Sequence, residues 1–113
     1  MEIELRQLRY VVAAADEKSF RRAAEGMRLR QSTLSRRIRD LELQLGVGLF
    51  ERSRAGVRPT LAGTELVRIA RHVMDEVDRM AAAATAAGRG EAGRLVVGFY
   101  TSLSTGNLRL ALQ

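Results

Sequence analysis

Between Lys18 and Arg39 the chain holds two short apolar-periodic segments, broken near Gly26, with basic side chains crowded around both. The bases are Lys18, Arg21, Arg22, Arg28, Arg30, Arg36, Arg37 and Arg39, set against a single acid, Glu25. Apolar residues at helical spacing, interrupted so soon, describe two small helices at an angle. The cationic side chains are then left over to face a polyanion.

The flanking segments fit the same plan. Before it, Leu5, Leu8, Val12 and Ala15 recur at three- and four-residue spacing and form one helix stripe. Ser19 is a suitable N-cap for a second helix whose inner side carries Phe20, Ala23, Ala24 and Met27. The third helix is predicted over residues 31–45, with Leu34, Ile38, Leu41 and Leu45 in one narrow arc. Gly46 follows, where a left-handed residue commonly closes a helix.

At about 100° per residue, Leu34 at the inner face leaves Ser32, Ser35, Arg36, Arg39 and Leu43 on the outer half. Small hydroxyls allow close approach to a groove, and arginine can reach a guanine edge bidentately. An ordinary solvated face would show the same angles; the basic surroundings favour the groove. A helix presented this way is how helix-turn-helix proteins meet duplex DNA, so DNA is the leading candidate partner.

Charge agrees with that placement. Residues 1–60 hold thirteen bases and eight acids, whereas residues 61–113 hold six and five. Base composition alone can account for arginine over lysine, but not for this clustering. Residues 49–60, LFERSRAGVRPT, are predicted to form a hairpin with Phe50 and Val57 inward and Arg54-Ala55-Gly56 at the tip. Arg52, Arg54 and Arg58 make it cationic, and Pro59 ends it. Such a wing suits the DNA backbone or the narrow minor groove.

From residue 60 the pattern changes. Leu66, Ala70, Val73, Val77, Met80, Ala84 and Ala87 follow one another at alternating four- and three-residue spacing, a heptad seam with Thr60 placed as N-cap. A helix packing on its own domain is the simpler reading; its length favours a partner helix from a second copy. Residues 88–94, GRGEAGR, have linker composition, and LVVGFY at 95–100 looks like a buried strand.

The landmarks LRQLRYVVAAADEKSFRRAAEGM, RQSTLSRRIRDLELQLGVGLFERS and PTLAGTEL stand in unbroken order. In these the chain resembles the N-terminal portion of LysR-type transcriptional regulators, over about residues 3–98. The resemblance implies a mainly α fold: a winged helix-turn-helix of three helices plus a β-hairpin wing at 1–60, then a long dimerisation linker helix at 61–88. Residues 89–113 would be a linker and the start of an effector-binding α/β domain, cut short, so that no small-molecule effector site is expected. Thr101 and Ser102 occupy the loop that in the family helps hold a co-inducer.

By position, the resemblance implies base contacts at Gln31, Ser32, Ser35 and Arg36. Arg21, Arg22 and Arg30 fall where phosphate contacts lie, and Arg54 resembles the wing arginine. Arg39 of the outer helix face and Arg52 and Arg58 of the hairpin join them by their own placement. The heptads make Leu66, Ala70, Val73, Val77, Met80 and Ala84 the dimer seam. The chain departs from the family at Arg30, where Ser or Thr commonly caps the helix, which makes Ser32 the candidate cap. It also has Ala55 where the wing arginine often lies. The implied partner is double-stranded DNA with dyad-related half-sites, bound by a homodimer or a higher oligomer, in the cytoplasm at the bacterial nucleoid. An alternative is a dimerisation module that forms inactive heterodimers with full-length relatives.

Other classes fare worse. His72 is the sole histidine and falls on the solvated side of the heptads; there is no cysteine and no carboxylate cluster with ligand spacing, so neither catalysis, a metal nor a cofactor is expected. The basic cluster and the best apolar stripe lie in different segments, which disfavours a membrane-surface helix. No run approaches the ~20 apolar residues of a membrane span.

Overall fold

The computed structural model describes residues 2–96, with side chains to residue 90. Its elements are α1 (Leu5–Glu17), α2 (Phe20–Gly26), α3 (Gln31–Leu45), β1 (Phe50–Ser53), β2 (Gly56–Pro59) and α4 (Leu61–Val96). This is a mainly helical winged helix-turn-helix followed by a long helix. Met1–Met74 falls in one compact unit, and the described part of the second, residues 75–96, is helix.

The first three helices bury the residues that their periodicity marks out. Phe20, Ala23 and Ala24 of α2 and Leu34, Ile38 and Leu41 of α3 are core, with Met27 and Leu45 packed against it. On α1 the buried arc is shifted: Tyr10, Val11, Val12 and Ala14 are buried, while Leu8 and Ala15 are only partly covered. Val11 and Ala14 are fully buried, so a single stripe of four residues understates this surface. Each fully buried Val, Leu, Ile or Phe side chain among them contributes about 1.5–3 kcal/mol on leaving water.

The helix ends follow local chemistry. Ser19 Oγ accepts from Arg22 N at 3.0 Å and caps α2. Gly46 closes α3 at φ 76°, its N–H bonded to Glu42 O at 2.8 Å. Two non-glycine residues also take the left-handed conformation, Lys18 after α1 and Arg28 in the turn before α3. In that turn Leu29 N donates to Ala24 O at 2.9 Å.

β1 and β2 pair antiparallel, with Phe50 opposite Pro59 and Ser53 opposite Gly56. The hairpin is held at three points. Glu42 of α3 turns its Oε2 to Leu49 N at 2.7 Å and Phe50 N at 3.3 Å. Val57 N donates to Lys18 O at 3.4 Å, and Gly56 lies so close that a Cβ there would sit 2.7 Å from that oxygen. Phe50 meets the Phe20 ring edge-on at 5.4 Å between centroids.

Thr60 links the hairpin to α4. Its Oγ1 accepts from Gly63 N at 3.0 Å, capping the helix, and donates to Gly48 O at 2.7 Å. Gly63 packs so tightly that a Cβ would fall 2.0 Å from Leu49 O. Beyond it Val67 and Ala70 are buried and Met74 is partly buried against the core, while Arg71 pairs with Asp16 of α1.

The first compact unit reaches Met74, because the first turns of α4 carry core residues. Two expectations need correction. The glycine-containing stretch 88–94 is helix, as are Leu95 and Val96, which were read as the start of a strand. Glycine inside a helix costs ~1 kcal/mol relative to alanine but keeps its hydrogen bond. An alanine-rich run therefore propagates through it. Ala70, read as a seam residue, is 2% exposed within the domain's own core. The expected strand beyond residue 96, with Thr101 and Ser102, lies outside the described residues.

Candidate nucleic-acid interface

α3 is anchored on its inner side by Leu34, Ile38 and Leu41, and this rigid seat fixes what the opposite side presents. Gln31, Ser32, Arg36 and Arg39 are exposed and Ser35 is half-buried. Ser32, Ser35, Arg36 and Arg39 follow at three- and four-residue intervals, so they form one stripe. The first turn contains no acid. Arg36 and Arg39 form no ion pair with any other described residue.

The N-cap of α3 is Arg30, and it makes no side-chain cap bond. Ser32 sits inside the helix, at its second position, so it is exposed rather than spent as a cap. The backbone N–H groups of the first turn thus lack a side-chain acceptor, and this end of the helix carries partial positive charge.

The flanking arginines differ in how far they are engaged. Arg21 pairs with Glu25 at 3.1 Å, and Arg22 reaches Glu17 O at 2.8 Å and its carboxylate at 3.6 Å. Arg58 pairs with Glu51 across the hairpin at 3.4 Å. Both partners of each pair are at least half exposed. Such pairs are worth about 0–1 kcal/mol and can be exchanged for a phosphate. Arg30 and Arg54 are exposed and unpaired among the described residues.

Arg52 is placed differently from the other wing arginines. Its guanidinium lies 4.7 Å from the centroid of the Phe20 ring, and its Nη2 donates to Ser35 Oγ at 3.0 Å. The sequence reading missed this contact, because residues 35 and 52 meet only through the docking of the hairpin. The alternation that turns Phe50 inward also puts Arg52 on the same side of β1, and that signal was available.

On α4, Ile69 is 46%, Val73 39% and Met80 64% exposed, with Val77 partly covered. Ile69 lies outside the heptad seam, although it precedes Val73 by one turn.

The first unit is a basic helix on a rigid apolar seat with a cationic hairpin docked on it. The family described as bacterial regulatory helix-turn-helix protein, lysR family, matches residues 5–64. The chain belongs to the lysR family. Similar lysR-type relatives include the uncharacterized HTH-type transcriptional regulator YnfL of Escherichia coli (strain K12). It is 43% identical over 102 residues, which cover 90% of this chain and 34% of YnfL. HTH-type transcriptional regulator ClcR of Pseudomonas putida is 38% identical over 111 residues, or 98% of this chain and 38% of ClcR. The chain thus spans about a third of the length of these relatives. Among solved structures, the BenM DNA-binding domain in complex with catB site 1 DNA matches with a TM-score of 0.74 and 37% identity. That match covers 76% of this chain and 97% of the BenM chain. The lysR family is one of bacterial regulators, not of enzymes. Among the described residues no helix is long and apolar enough to cross a membrane.

Proposed function

We propose that this chain binds double-stranded DNA sequence-specifically as a dimer and serves transcription regulation. The observation that carries the reading is the exposed stripe of α3. Its hydroxyls and arginines are free of acidic partners and sit on a rigid apolar seat. Likeness to a domain solved on DNA supports it.

In this reading α3 enters the major groove. Arg36 pairs with a guanine edge and Gln31 with adenine, each worth about 1–3 kcal/mol of discrimination, while Ser32 and Ser35 make shorter contacts. Arg21, Arg22, Arg30, Arg39 and Arg58 take phosphates, and Arg54 at the hairpin tip reaches the minor groove. Two copies pair through α4 along Leu66, Val73, Val77, Met80 and Ala84, with Ile69 beside them. Two-fold pairing calls for dyad-related half-sites on one face of the duplex.

The test is fluorescence anisotropy with a pool-selected dyad duplex and its scrambled version, across a salt series. A preference of about tenfold or more at physiological salt is expected from base contacts of the stated strength. Equal, steeply salt-sensitive affinities would mean that only phosphates are held. The heterodimer-forming role would then become the better account of the exposed α4 side chains.

A further inference from the structure

We infer that Arg52 is a specificity-determining positioning residue, which acts on DNA through the Ser35 hydroxyl rather than by touching a phosphate. The inference rests on the DNA-reading function proposed above.

Arg52 belongs to the wing and remains exposed, yet its guanidinium makes two contacts with the body of the domain. One face lies 4.7 Å from the centroid of Phe20, a core ring only 5% exposed. Its Nη2 donates to Ser35 Oγ at 3.0 Å. Phe20 is itself locked edge-on against Phe50, two residues before Arg52 on β1. One side chain thus ties the start of α2, the outer stripe of α3 and the hairpin together.

The consequence for Ser35 is chemical. A serine hydroxyl offers one proton and two lone pairs. The guanidinium occupies a lone pair and places a positive charge beside the oxygen. That weakens the remaining lone pair as an acceptor and strengthens the O–H as a donor. The proton is given to no described residue, whereas Thr64 returns its own to Thr60 O at 3.0 Å, the usual use of a hydroxyl inside a helix. Ser35 is therefore set to donate, to guanine O6 or N7, adenine N7 or thymine O4. The same cation penalises an approach by the amino groups of cytosine or adenine.

The experiment is selection from random duplexes carrying two dyad-related half-sites, using wild type, Ser35→Ala, Arg52→Met and Arg52→Lys. Salt titrations follow on the selected wild-type duplex. Ser35→Ala identifies the half-site position that Ser35 reads. Arg52→Met keeps an unbranched apolar stem on Phe20 and is expected to lose preference at that same position, by about threefold or more, with the salt slope unchanged. Arg52→Lys keeps the charge and one donor and should give an intermediate preference there. It serves alone if thermal unfolding shows that the methionine variant does not fold.

An unaltered preference at that position, with a slope reduced by about one, would place Arg52 on a phosphate and overturn the inference. If Ser35→Ala leaves every position unchanged, base reading by Ser35 is itself wrong and the inference falls with it. The two failures are thus told apart.

Discussion

At the scale of single residues, the arginines divide by what their neighbours leave free. Arg36 has no partner on the described surface, whereas Arg22 is held by Glu17 through its carbonyl and carboxylate. Arg36→Ala should therefore relax discrimination at one base position per half-site by about 1–3 kcal/mol. Arg22→Ala should weaken all duplexes alike and reduce the salt slope by about one. Competition binding against cognate and scrambled DNA checks both; equal losses on the two duplexes for both variants would remove Arg36 from the base-reading set. Glycines are the other residue-scale constraint. Gly63 admits no Cβ, because the Leu49 carbonyl would lie 2.0 Å away and is backbone that cannot swing aside. Gly63→Ala should destabilise the first unit by about 1–3 kcal/mol despite alanine's better helix propensity, as measured by urea unfolding.

At the scale of elements, α4 carries buried and exposed apolar residues along one helix. Val67, Ala70 and Met74 turn into the first unit's core, while Ile69, Val73 and Met80 stay exposed. A chain with no second copy would leave those three in water. Val77→Asp should accordingly abolish the proposed dimer in light scattering and lower DNA affinity. A variant that remains dimeric with unchanged affinity would show that the pairing surface lies elsewhere. The helix also carries a pH-sensitive pair. Hydrogen bonding from Arg68 first, and its charge second, hold the Glu65 carboxyl below the usual carboxylate range. A lowered folded-state value contributes stability above the ordinary carboxylate value and loses it as pH falls through the folded one. Thermal unfolding should show a small loss on acidification through that window, and Glu65→Gln should flatten this part of the profile. An identical profile in the glutamine variant would mean that the pair contributes nothing measurable.

For the molecule as a whole, the division of charge governs how it meets a polyanion. The surplus of bases lies in residues 1–60, where the arginines of α2, α3 and the hairpin are exposed. Binding should therefore weaken steeply with salt, since each neutralised phosphate adds about 0.9 to the slope of log affinity against log salt concentration. A dimer using even half of its ten proposed phosphate-contacting arginines should give a slope of about 4.5. A shallower slope in the anisotropy series would mean that the exposed arginines are mostly idle on the duplex.

Much of this fold was legible in the chain because helices are encoded by neighbours three and four residues apart. The inner faces of α2 and α3, the Ser19 and Thr60 caps and the left-handed Gly46 all depend on such local chemistry, and each stands where periodicity placed it. The hairpin, with Phe50 and Val57 inward, was also legible from alternation between turn residues. Tertiary packing decided what local pattern leaves open. Ala70 fits a heptad seam and a domain core equally well in sequence, and it is the packing of the first turns of α4, where Gly63 seats against Leu49, that buries it. The glycines at 88, 90 and 93 suggested a linker, yet a helix already under way passes through them. Arg52 read as one more wing cation until the hairpin docked on α2 and α3, bringing its guanidinium onto Phe20 and Ser35. Patterns three or four residues long determine which elements form; contacts between residues far apart exist only once those elements pack, and they decide which side chains remain free to act.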